Sequence, residues 1–164
     1  MHSLWRALTL GVVLVLGIVL GADIAKLSAQ EPDPRIGTWK LNLAKSRYSP
    51  GPAPKSLTVK VEPTGQGEKV TTEGVNADGA RTATQYRANF DGKDNPLTGS
   101  PIADTVSLKR INARTTERTD KKGGKTVQVL TRVVSADGKK MTVTVKGTNA
   151  QGQAVKNVVV FEKQ

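Results

Sequence analysis

The side chains most often recruited for acid–base and nucleophilic chemistry are nearly missing from this chain. It has one histidine, His2, and no cysteine. Removing both types excludes thiol nucleophiles, redox pairs and the commonest general base and metal ligand together. Serines and threonines abound, but no histidine stands beyond the N-terminal segment to activate them, and Gly-x-Ser-x-Gly does not occur. Ser–Lys chemistry needs a buried lysine beside its serine. Lys45-Ser46 and Lys55-Ser56 are neighbours only in sequence, in or beside a proline-rich stretch. Asp91, Asp94 and Asn95 gather around Gly92, with Asp104 further on, and such oxygen ligands suit a hard cation. Their spacing matches no calcium loop, and Asx residues are ordinary turn formers. The expectation is therefore no catalytic residue, no metal site and no cofactor: not an enzyme.

Binding is the chemistry that remains. Its candidate residues come from alternating runs in which one face is apolar: Trp39, Val59, Val61, Tyr86, Phe90, Leu108, Val129, Met141, Val143 and Phe161. Most are slender, which leaves room for a small apolar or amphiphilic ligand between facing walls. Tyr48 joins them from a loop, where its neighbour Arg47 offers a cation beside the ring. Tyr86-Arg87 offers the same pair, but adjacent residues of one strand point to opposite faces.

The elements that must position these residues are strands. Alternation rich in Val and Thr runs through Ile36–Asn42, Lys55–Glu62, Lys69–Val75, Arg81–Phe90, Asp104–Ile111, Ala113–Thr119, Lys125–Val134, Lys140–Thr148 and Ala154–Glu162. Asp78-Gly79 and Asp137-Gly138 supply hairpin turns, because glycine accepts the positive φ that tight turns demand. On the Lys125–Val134 run, Val127, Val129, Thr131 and Val133 form the apolar face. Two stretches, Ala44–Pro54 and Lys93–Ala103, carry prolines and glycines and read as long irregular loops suited to a lid or binding surface. No helix is expected beyond the leader. A meander of this length must twist and close, burying its apolar face and removing its edges. The expected fold is all-β: an antiparallel up-and-down barrel of about 8–10 strands preceded by an N-terminal signal helix.

Residues 1–29 place Arg6 before an apolar run, Ala7–Ala22, that falls short of the ~20 residues needed to span a bilayer. Leu27-Ser28-Ala29 then presents a signal-peptidase site, with cleavage expected after Ala29. Residues 30–35 read as a short linker and 36–164 as the barrel. The domain is thereby expected in the periplasm or outside the cell, touching membrane only if the leader stays uncleaved. The net charge is +11, and losing Arg6, Lys26 and Asp23 with the leader barely changes it. Such a surface attracts anionic polymers of a cell envelope. An alternative function follows: an envelope-associated protein that works through its cationic outside around a filled core. Nucleic acid is not expected as a partner, given the compartment and the scarcity of aromatic residues for stacking.

Gly37-Thr38-Trp39 opens the first strand, and Gly-x-Trp there resembles the lipocalin and wider calycin barrels. "GTWKLNLAKSRYSPGP", "NFDGKDNPLTGSP" and "VVSADGKKMTVTVKGTNAQG" make Ile36–Lys163 look like a lipocalin-like secreted bacterial protein. The resemblance implies a tryptophan packed across the closed end of a barrel. It also implies a late arginine over that ring, yet no arginine follows Arg132, which leaves Lys156 or Lys163 to substitute. The second lipocalin motif is reduced to Thr119-Asp120, and the usual disulfide has no cysteines to form it.

Overall fold

The computed structural model describes residues 32–164. The leader, its expected helix and the cleavage position after Ala29 lie outside the described residues. Ten strands form: β1 (Gly37–Leu41), β2 (Ser56–Thr64), β3 (Gly67–Val75), β4 (Arg81–Asn89), β5 (Asn95–Thr98), β6 (Thr105–Arg110), β7 (Thr115–Lys122), β8 (Lys125–Val134), β9 (Lys140–Thr148) and β10 (Ala154–Lys163). Each pairs antiparallel with its successor, and β10 returns to β1 to close the barrel. Trp39 opposite Lys163 and Leu41 opposite Phe161 mark that seam. The all-β, antiparallel up-and-down barrel expected from the alternation is the fold observed.

The interior follows the two-residue period of each strand. Tyr86 and Ala88 on β4, and Met141, Val143 and Val145 on β9, point inward and are buried. With no cysteine to cross-link the chain, this core carries the stability, each fully buried aliphatic or aromatic side chain contributing about 1.5–3 kcal/mol. Among the described residues all ten strands lie between Gly37 and Lys163, and the buried hydrophobic cluster runs from Trp39 to Phe161.

Two expectations need correction. The stretch Lys93–Ala103 is not wholly irregular, since it contains β5. Four residues bridge the neighbouring strands, Tyr86 opposite Leu97 on one side and Asn95 opposite Val106 on the other. So short a strand shows no periodicity, and Pro96 argues against pairing although its missing N–H is tolerated here. The second correction concerns β8. The register shifts between Asp120 and Lys121, where Asp120 faces Gln128 but Lys121 faces Thr126, leaving Val127 as an extra residue. A bulge of this kind reverses the alternation beyond it. Val127 packs on the core, yet Val129 lies opposite Thr119 and Lys146, on the outer face. Gln128, Leu130, Arg132 and Val134 take the inner face instead. Gly147 makes the bulge possible, because a Cβ there would sit 2.0 Å from the Val127 carbonyl oxygen.

Candidate ligand cavity

One end of the barrel is closed by packed aromatics and paired charges. Trp39 is fully buried, donates its indole N–H to the Arg35 carbonyl at 2.8 Å, and lies under Lys163, whose Nζ stands 5.2 Å from the ring centroid. The same Nζ donates to the Pro34 carbonyl at 3.1 Å. Lys163, not Lys156, therefore covers the tryptophan. Gly37 takes φ +131° and its missing Cβ leaves space that the Lys163 stem approaches to 2.9 Å, which gives the glycine of Gly-x-Trp a physical reason.

Glu68 occupies the centre of this floor, buried to 1%. Its Oε2 accepts from Arg35 at 3.0 Å. Its Oε1 accepts from the Tyr86 hydroxyl at 2.7 Å and lies 2.6 Å from Arg132 Nη2. Arg132 also donates to Thr116 Oγ1 at 3.0 Å. Arg35 is pinned further by Asp33, which accepts from Arg110 as well at 3.0 Å. The stretch Pro34–Arg35 thus does more than connect: it plants a buried guanidinium in the floor. Phe90 is held between Arg35 and Arg110, at 4.5 and 4.4 Å from its centroid. Burial works against the Arg132 cation, but Tyr86 and Glu68 outweigh it and raise its pKa. Burial likewise opposes Arg118, which Tyr86 and Asp120 nonetheless raise.

Above the floor lies a cavity of about 300 Å³. Its walls are mostly apolar: Leu57, Val59, Val70, Leu130, Met141, Val143, Val145, Val159 and Phe161, with Tyr48 and Ile102 reaching in from two loops. Arg118, Arg132, Asp120, Gln128 and Asn157 add a polar minority. Arg118 is fixed by two bonds to Asp120, at 2.5 and 2.8 Å, and its guanidinium lies 4.8 Å from the Tyr86 centroid. The Tyr48 hydroxyl is buried, and no group among the described residues hydrogen-bonds to it. Burial pushes its pKa up to about 12, and burial, opposed by Arg132, raises that of Tyr86 too.

Of the residues expected inside, Tyr48, Val59, Tyr86, Met141, Val143 and Phe161 are brought together around the cavity. Trp39, Val61 and Leu108 are buried in the solid core instead, and Phe90 is packed among the floor arginines. Val129 is outside, for the reason given by the bulge. Arg47 is exposed and bridges to Val158, so it does not act beside Tyr48. The charged interior was missed because an alternation rule seeks apolar faces and discards Gln128-x-x-x-Arg132 as solvent-facing. The one signal available was Arg118-x-Asp120, whose spacing of two sets an ion pair on one face of its strand. Asp91 and Asp94 serve their turn and Lys121: Asp91 accepts from Lys93 N–H at 3.0 Å and Asp94 from Lys121 Nζ at 2.7 Å.

The fold and the cavity define a small up-and-down β-barrel with a charged floor and a slender apolar wall. Among solved structures it is similar to a zebrafish ileal bile acid-binding protein crystallised with cholic acid, at 14% identity and a TM-score of 0.49, over 80% of this chain and 99% of that one. No protein-family model and no curated protein matches the chain.

Proposed function

We propose that this protein is a non-catalytic carrier that holds one small, largely apolar molecule in the barrel, with a single hydrogen-bonding group on that molecule meeting Tyr48 or Arg118. The cavity of about 300 Å³ carries this reading. It argues against a core packed solid, and its volume is at the lower end of what small-molecule sites use, ~300–1,000 Å³. Tyr48 supplies the polar half of the argument. A buried hydroxyl left unpaired costs about 1–3 kcal/mol, and a ligand acceptor would recover that. Arg118 and Arg132 are already neutralised by Asp120 and Glu68, so the interior favours an amphiphile with a modest polar end over a multiply charged one.

The test is displacement. Delipidated protein should bind 1-anilinonaphthalene-8-sulfonate with blue-shifted fluorescence at one site per barrel, and Val143→Phe should weaken it about tenfold by filling the cavity. Native mass spectrometry of protein purified without delipidation should show retained mass. Thr84 on β4 also lines the cavity, and probe binding that survives Val143→Phe and Thr84→Phe alike would remove the cavity from consideration. We further propose that the domain works outside the cytoplasm after loss of its leader; Edman sequencing of the exported form should begin at Gln30.

A further inference from the structure

We propose that the mouth of the barrel is a docking face for an anionic phospholipid bilayer. In an up-and-down barrel alternate connections share one end. Here the β1–β2, β3–β4, β5–β6, β7–β8 and β9–β10 connections do so, and the cavity opens among them through Tyr48, Pro54, Ser100 and Ile102. Around that opening the register sets like charges face to face. Lys122 lies opposite Lys125 across the β7–β8 hairpin, and Lys146 lies opposite Lys156 across β9 and β10. Lys55 and Arg81 stand beside the β3–β4 turn, where a Cβ on Gly79 would meet Lys55 Nζ at 3.6 Å.

All six are exposed, and among the described residues none forms an ion pair. Like charges directly across a strand pair are destabilising, so this end keeps a cost that a partner of opposite charge would relieve. Of the acids at the same end, Asp78 accepts from the Ala80 N–H within its own turn, Asp104 accepts from the Gly123 N–H at the tip of the β7–β8 hairpin, and Glu73 stands on β3. None of the three forms an ion pair among the described residues. At the opposite end, which the floor closes, Lys45–Glu162, Lys60–Glu62 and Arg110–Asp33 are paired, while among the described residues Lys109, Lys139 and Lys140 are not and Lys69 faces Arg87. The open cavity is what sets the mouth apart.

A ring of cations around an opening meets a plane all at once, whereas a polymer chain needs a continuous track. Between the cations the tips are small residues, Pro50-Gly51-Pro52 and Gly123-Gly124, which let the rim approach closely. A bilayer also offers amphiphiles to the cavity it would face. This purpose rests on the carrier reading, but the docking itself does not.

The experiment is flotation with vesicles, using the chain from Gln30, which retains all ten strands. Vesicles of phosphatidylcholine with 30 mol% phosphatidylglycerol should carry the protein at low salt, and pure phosphatidylcholine should not. Replacing Lys122, Lys125, Lys146 and Lys156 by Gln should weaken binding by at least about tenfold. Replacing Lys93, Lys109, Lys139 and Lys140 by Gln removes as much charge from the other end and should cost far less. Equal losses in the two variants would overturn the proposal, as would retention on heparin without vesicle binding, or no binding at all. The assay needs no ligand in the cavity, so docking without any probe uptake would sink the carrier reading alone.

Discussion

The floor and the upper cavity of this barrel solve opposite problems with the same strand period. At the floor, long charged side chains turn inward and fill the space: Arg35, Glu68 and Arg132 are each buried to 6% or less. Higher up, Val59, Val143 and Val159 leave the space open. Buried charge demands that every partner be present, because an ion removed from water is costly unless paired and hydrogen-bonded. An apolar wall makes no such demand, and tolerates being thin. The difference teaches that the floor is held by paired charges while the slender wall leaves a cavity open.

That contrast breaks most visibly at Glu68. Glu68→Ala leaves Arg35 and Arg132 buried without their shared carboxylate, and the expected loss is about 3–5 kcal/mol in urea unfolding. A loss as small as that of a surface carboxylate would mean the floor is not held by its charges. Next comes the facing of β8. Leu130→Ala should cost about 2 kcal/mol, and Val129→Ala no more than about 0.5 kcal/mol. The reverse order would restore the face expected from alternation alone. A smaller effect is expected at the seam. Lys163→Met removes the cation over Trp39 and should cost about 0.5–1 kcal/mol, with a shift in tryptophan emission, since Trp39 is the only tryptophan of a chain from Gln30.

The subtlest measurement is spectrophotometric titration, made simple by a total of two tyrosines. Burial raises Tyr48 to about 12, above the ordinary ~10 of an unfolded chain. A raised folded pKa means that the neutral hydroxyl favours folding fully below pH ~10, and that this contribution fades as pH rises through about 12. Native protein should therefore show little tyrosinate absorbance at pH 10.5, and Tyr48→Phe should remove the first step of the curve. A tyrosine ionising near pH 10 would place Tyr48 in solvent and away from the cavity.

Much of the architecture was legible along the chain. Lys140–Thr148 and Lys125–Val134 were bounded by Asp-Gly and Gly-Gly turns and appear with those limits, because local turn chemistry fixes hairpin ends. β5 was not legible, since four residues with a proline leave no period to detect. The cavity walls on β2, β4, β9 and β10 were legible as alternating apolar faces. The wall on β8 was not, because one extra residue at Val127 reverses every side chain after it and no local signal marks a bulge.

Alternation, turn residues, the lack of cysteine and the lack of any histidine after His2 belong to the sequence, and they determine strands, closure and the poverty of catalytic groups, since each acts over a few neighbouring residues. Which charges meet inside is a different kind of fact. Arg35, Glu68, Tyr86 and Arg132 stand on four separate segments, and only closing the sheet brings them within hydrogen-bond reach. The same closure decides that Lys146 faces Lys156 and that valines of distant strands leave a space between them. Contacts of that range depend on register around the whole cylinder, which no short window of residues contains.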